Sequence, residues 1–171
     1  MEREGAMADF DAARAEWEAA FARVPDDALT YLKPGDDYSL GGLQVHVNWV
    51  LVHYRRVLDG IVAAGFDGIG PQDPTGAEAQ ARAGARRGLK TAERRKSLDE
   101  MAHLHGAVRA AALELPDSDW ARKAPVVYGA GQEPYPTSPD DILGWLRDHY
   151  REHVEQSADL VAEWRSTKPA G

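Results

Sequence analysis

Four stretches of this 171-residue chain repeat their apolar residues at steps of three and four, and none alternates with the two-residue period of a strand over a useful length. Between Asp9 and Val24 the apolar positions are Phe10, Ala13, Trp17, Ala20, Phe21 and Val24, with Arg14, Glu16, Glu18 and Arg23 between them, and Pro25 stops the helix. Ser39 can cap a second helix carrying Leu40, Leu43, Val47, Val50, Leu51, Tyr54, Leu58 and Ile61. Gly41 and Gly42 weaken its first turn, since each costs about 1 kcal/mol relative to Ala in a helix interior. A third stripe runs through Met101, Leu104, Val108, Ala111, Ala112 and Leu115 and ends at Pro116; the box Ser97-Leu98-Asp99-Glu100 either starts it or lies inside a helix beginning near Leu89. Ser138-Pro139-Asp140-Asp141 supplies a cap, a proline at the first helical position and two acids on the positive end of the dipole, so the fourth helix is predicted to begin at Pro139. Its stripe is Ile142, Trp145 or Leu146, His149, His153, Ser157 or Gln156, Leu160 and Trp164. Four long amphipathic helices define an all-α class, a four-helix bundle.

The connections fit a single domain over residues 1–171, with a core of about 9–164. A chain of this length buries about 70% of its unfolded surface in one core. Pro34-Gly35-Asp36-Asp37 is a turn signal in the first connector. The insert at about 66–88 is rich in Gly and then in Ala and Arg; Thr75-Gly76-Ala77-Glu78 is a capping box there, and a short surface helix or a mobile loop is expected. Residues 116–138, with four prolines and the aromatics Trp120, Tyr128 and Tyr135, read as a long ordered loop before the last helix, of the kind that covers a pocket.

Charge and composition remove several functions. Twenty Lys and Arg against 28 Asp and Glu give a net charge of −8, which repels phosphate backbones and anionic membranes, so no nucleic acid partner is expected. The basic run from Arg86 to Lys96 reads as a solvated helix face or linker. There is no cysteine, which removes disulfides, thiolate ligands and a cysteine nucleophile together; any thiol chemistry needs an exogenous thiol. No apolar run approaches the ~18 residues that span a bilayer, and a cytoplasmic location without membrane association is the expectation.

The histidines carry what chemistry the chain offers. His149 and His153 are four residues apart, which places both imidazoles on one face of the last helix about 6 Å apart along its axis. His46 lies on the inward stripe of the second helix beside Leu43, Val50 and Tyr54, so it is the natural third ligand for one divalent metal in the bundle core. His53, two turns from His46, His105, four residues after Met101, and Tyr128 and Tyr135 of the long loop are candidates for lining or supporting the pocket; His103 is peripheral. Glu152 and Glu155 point away from the 149/153 face by helical angle, and no catalytic residue is assigned. The same histidines also fit a metal-free core of hydrogen-bonded imidazoles, which predicts that a chelator leaves Tm unchanged.

The segment Tyr38-Ser39-Leu40-Gly41-Gly42-Leu43-Gln44-Val45-His46-Val47 resembles the aromatic-Ser motif of the DinB/YfiT-like superfamily, in which a metal-binding histidine follows the aromatic by eight residues. The segment from Asp148 to Gln156 resembles its second motif, a histidine pair separated by three residues and followed by a glutamine, and Leu115 to Trp120 is similar to its acidic link after the third helix. Tyr38 stands where tryptophan is more usual. The resemblance implies a four-helix bundle holding a divalent metal on His46, His149 and His153, with Gln156 beside the site, often in a homodimer. Zinc or nickel heads the expected ions, followed by iron, copper and manganese. It also implies kinship with thiol-dependent transferases and maleylpyruvate isomerase-like enzymes, hence a small-molecule substrate or a low-molecular-weight thiol as partner; a transferase, an isomerase and a hydrolase, using a thiol or water on the ion, are all open. A metal-stabilised bundle that sequesters a small molecule without catalysis is the alternative.

Overall fold

A computed structural model describes residues 2–73 and 76–169. Those residues form five α-helices, α1 (Arg3–Ala22), α2 (Leu40–Ala63), α3 (Ala77–Arg87), α4 (Thr91–Leu113) and α5 (Pro139–Ser166), and a two-stranded antiparallel ribbon of β1 (Ala124–Val126) and β2 (Tyr135–Thr137). α1 packs along α5, and α2 packs against α4, α5 and α3. No helix among the described residues is long and apolar enough to cross a membrane.

α1 starts at Arg3, six residues before the boundary expected at Asp9, and so extends the core beyond its expected start. The polar run Glu2-Arg3-Glu4-Gly5 hides the apolar period there, yet Ala6 and Met7 are buried. Arg3 Nη1 donates to the Leu115 carbonyl at 2.7 Å and Arg3 pairs with Asp117 at 2.8 Å, which ties this first turn to the end of α4.

Ser39 caps α2 as expected, its Oγ accepting from the Gly42 N–H at 3.0 Å. The same hydroxyl donates to the Ala85 carbonyl of α3 at 2.9 Å, so the first turn of α2 is docked on the last turn of α3. This contact explains the two glycines. A Cβ on Gly42 would lie 1.6 Å from the Ala85 carbonyl oxygen, and one on Gly41 would lie 2.4 Å from that of Leu29. Their cost in helix propensity is offset by an approach of backbone to backbone that no other residue permits. The Ala/Arg-rich insert therefore holds the short helix of the two expected forms, and Ala85 on it is buried. The capping box proposed at Thr75 lies outside the described residues; α3 follows Gly76, whose φ of +69° is left-handed.

The Ser97 box lies inside α4, which begins at Thr91 with the Glu93 carboxylate accepting from the Lys90 N–H at 2.8 Å. Ser97 itself is buried and meets Asn48. A polar chain crosses the interior at this level: Trp17 Nε1 donates to Gln44 Oε1 at 2.7 Å, Gln44 Nε2 to Asn48 Oδ1 at 2.9 Å, and Asn48 Nδ2 to the Ser97 carbonyl at 3.0 Å. Gln44 and Asn48 bracket His46 on α2, so these bonds fix that helix in rotation where the site needs it. The basic run is dispersed among acids and carbonyls, as with Arg94 on Asp26 at 2.9 Å and Arg95 on Asp99 at 2.9 Å.

The segment 116–138 departs from the loop expected. It carries the β1–β2 ribbon, whose edge is extended by Ile69, with Ile69 N donating to the Pro125 carbonyl at 3.0 Å and Val127 N to that of Ile69 at 3.1 Å. Strands of three residues with prolines at their centres show no alternation to read. α5 begins at Pro139 as expected, with Ser138 Oγ accepting from Asp141 N at 3.1 Å and Asp141 Oδ2 accepting from Ser138 N at 2.8 Å.

Candidate metal centre

The facing sides of α2 and α5 bring three imidazoles together. His149 Nε2 lies 2.9 Å from His46 Nε2 and 3.0 Å from His153 Nε2, and one ligand nitrogen from each ring falls within 4.8 Å of the other two. Nitrogens bound to one ion at about 2.1 Å and about 90° apart would be separated by about 3 Å, so both short distances suit neighbouring vertices of a shared coordination sphere. His153 is almost fully buried, and His46 and His149 are partly so.

The protonation pattern agrees with that fit. The Gln156 side-chain oxygen lies 2.7 Å from His153 Nδ1; because a carbonyl oxygen only accepts, Nδ1 carries the proton and Nε2 keeps its lone pair toward the cluster. Burial, and then the His153 ring beside it, brings the pKa of His46 down to about 4. Burial with His153 and His46 for neighbours brings that of His149 down to about 2. His153 is likewise held below the ordinary imidazole value by burial, against the opposing effect of its Gln156 bond. All three rings are thus neutral at pH 7. A single N–H on His149 can make a full hydrogen bond to one neighbour only, whereas one cation accepts a lone pair from each ring. These three side chains could therefore hold a metal ion.

Aromatic rings frame the cluster. Tyr38 stacks on His46 with centroids 4.3 Å apart and planes 21° from parallel, and Trp49 stacks on His46 at 6.3 Å. Trp17 meets His153 edge to face at 6.2 Å.

The other expected residues divide clearly. Gln156 supports His153 as described. His53 stacks on Trp49 at 5.1 Å and so stands one ring beyond His46. Tyr128 lies 6.2 Å from His53, and its hydroxyl, hydrogen-bonded to Thr137 at 2.9 Å, is pushed up to about 12 by burial. Tyr135 is 56% exposed and touches Trp145 rather than the histidines. His105 belongs elsewhere: it stacks on Phe10 at 3.9 Å, donates from Nε2 to Asp11 at 2.8 Å and accepts from the Tyr150 hydroxyl at 3.2 Å through Nδ1. His103, Glu152 and Glu155 are exposed.

Trp49, Tyr54 and Trp145 were not among the expected pocket residues. Trp49 follows His46 by three and Trp145 precedes His149 by four, spacings that share a helix face, so their relation to the histidines was readable.

Two histidines one turn apart on one helix, a third on its neighbour and a glutamine fixing a tautomer define a helical protein with a three-histidine site fit for a divalent cation. The chain belongs to the DinB superfamily, whose family profile matches residues 6–157 and so spans all three histidines. No curated protein and no solved structure matches it.

Proposed function

We propose that this protein is a metal-dependent enzyme in which His46, His149 and His153 hold one divalent cation, zinc or nickel first, on a four-helix bundle formed by the four long helices, and that it joins a small electrophile to a low-molecular-weight thiol. The convergence of three neutral imidazole nitrogens within 4.8 Å carries this reading. A cation bound there would supply Lewis acidity and open coordination positions, because three neutral ligands leave its charge intact. The residues of the chain do the rest. Gln156 holds His153 in the tautomer that presents Nε2, and Tyr38 shields one face of His46. With no cysteine in the sequence, the thiol must come from solution.

One observation favours a second reading, a bundle that sequesters a small molecule without turning it over: among the described residues the cluster is made of histidines alone, and the neighbouring acids Glu152 and Glu155 are exposed. Elemental analysis of protein purified without a histidine tag tests the common first step, with about one ion per chain expected and loss of that ion in both His46→Ala and His153→Ala. Retention of metal in both variants sinks either reading. Thiol-dependent turnover of an electrophile that stops on chelation then separates the enzyme from the binder.

A further inference from the structure

Beyond the three histidines the rings continue outward. His46, Trp49 and His53 stack in succession along α2, with centroids 6.3 and 5.1 Å apart and planes 18° and 22° from parallel. His53 meets Tyr128 from the β1–β2 connection at 6.2 Å, and Tyr128 meets Trp145 of α5 at 6.5 Å. Three separated parts of the chain thus deliver rings to one face. Unlike Phe10, Trp17 and Phe21, which are wholly buried in the core, Trp49, His53, Tyr128 and Trp145 each keep part of their surface open. Trp49, Tyr128 and Trp145 pack on the core by one side, and the contiguous half-open aromatic face they form beside a ligand cluster suits a binding surface.

His53 is the polar group of this face. Among the described residues it has ring contacts but no hydrogen bond, and the one sealed side-chain nitrogen or oxygen without a partner is Arg3 Nε. The two ring nitrogens of His53 are therefore both unbonded and open to a ligand. Burial, then the nearby Arg56, holds the ring below its ordinary pKa, while Glu78 and Asp73 oppose that shift. At pH 7 it offers one N–H donor and one lone pair. The charges around it have both signs, Arg56 against Glu78 and Asp73, so the face selects neither an anion nor a cation.

We propose that this face recognises the substrate of the metal centre and that the substrate is a small uncharged aromatic molecule, its ring packed on Tyr128 and the exposed edge of Trp49 and a hydroxyl or similar substituent hydrogen-bonded to His53. The catalytic meaning of the face rests on the metal reading above. A rise of 1.5 Å per residue puts His53 about 10 Å along α2 from His46, so a molecule lying across Trp49 has one end at His53 and the other at the three histidines.

The test is an NMR titration of the full chain with 4-methylphenol, toluene and 4-methylcyclohexanol, followed at the Trp49 indole N–H. 4-Methylphenol is expected to shift that resonance and to bind at least fivefold more tightly than either the ring without the hydroxyl or the hydroxyl without the aromatic ring. His53→Phe keeps a stacked ring and removes both nitrogens; it should bring 4-methylphenol down to the affinity of toluene and leave toluene unchanged. His53→Gln, which restores a donor and an acceptor, should recover part of the difference and serves if the phenylalanine variant misfolds. The proposal is overturned if 4-methylcyclohexanol binds as well as 4-methylphenol, or if His53→Phe leaves the preference intact. Metal content measured on the same samples keeps the two readings apart. Ring selectivity without bound metal sinks only the metal centre, and bound metal without ring selectivity sinks only this assignment.

Discussion

Gln156→Leu isolates the contribution of the residue behind the metal ligand. The wild-type bond is short, 2.7 Å from His153 Nδ1 to the Gln156 oxygen, and His153 is only 4% exposed, so water cannot readily take the place of the lost acceptor. Leucine fills nearly the same volume and Gln156 is itself only half-buried, so little packing is lost. What changes is the tautomer. Without an acceptor at Nδ1 the ring is free to carry its proton on Nε2, the atom that faces His149, and metal binding must then reverse that choice. Loss of such a partner typically costs 10–100-fold in metal affinity, about 1.4–2.7 kcal/mol. The burial of His153 places the expected effect in the upper half of that range. Gln156→Glu replaces a carbonyl acceptor with a carboxylate and should hold the affinity at or above the wild-type level. Competition against a chromophoric chelator at pH 7.5 reads all three proteins directly. An affinity for Gln156→Leu within twofold of wild type would refute the reasoning, because it would mean that the hydrogen bond does not set the protonation of the ligand.

Gly42→Ala should destabilise the protein by at least ~3 kcal/mol in urea titration, the cost of overpacking outweighing the ~1 kcal/mol that alanine gains in a helix, since its Cβ would sit 1.6 Å from the Ala85 carbonyl oxygen; a rise in midpoint would refute it. Saturating the centre at 100 times its Kd should stabilise the fold by about 2.7 kcal/mol, so a chelator that leaves Tm unchanged argues for the metal-free core. In chelated protein, His46, His53, His105, His149 and His153 all have pKa values held below the ordinary 6.5, chiefly by burial, so the unfolded chain binds more protons as the pH drops. Their contribution is complete above pH 6.5 and is lost progressively as pH falls, past about 4 where His46 titrates; a urea midpoint that stays flat between pH 7 and 5 would contradict this. Tyr150→Phe should cost about 1–3 kcal/mol by leaving His105 Nδ1 without its donor, with metal content unchanged because His105 stands apart from the three ligands.

The parts of this protein that could be read from its sequence are those set by local periodicity. The 149/153 pair, the caps at Ser39 and Ser138 and the start of α5 at Pro139 depend on residues within one or two turns of each other, and all of them stand where the spacing put them. What depends on a distant partner was read poorly. Gly41 and Gly42 looked like weak helix and are the contact between α2 and two other backbones. On α5 the expected stripe gave His149 a core position and passed over Tyr150, yet Tyr150 is 1% exposed while His149 is partly open. The reason is the neighbour: α1 lies along α5 and takes Tyr150 against Phe10 at 5.9 Å, whereas His149 turns toward α2.

That difference of one residue places the site at the edge of the core. Tyr150 lies on the side of α5 that α1 covers, beside Phe10. One position earlier, His149 faces the seam between α5 and α2, where His46, flanked by Tyr38 and Trp49, approaches it at 2.9 Å. The polar chain from Trp17 through Gln44 and Asn48 to Ser97 then has a consequence beyond stability, since it fixes the rotation of α2 from both sides of His46. Holding nitrogens near 3 Å apart against their own crowding needs rigid supports on both helices. α5 has one in Gln156 and α2 has one in Gln44 and Asn48. Replacing Asn48 by leucine should therefore loosen metal binding in the same chelator competition, although among the described residues Asn48 makes no hydrogen bond to any of the three histidines.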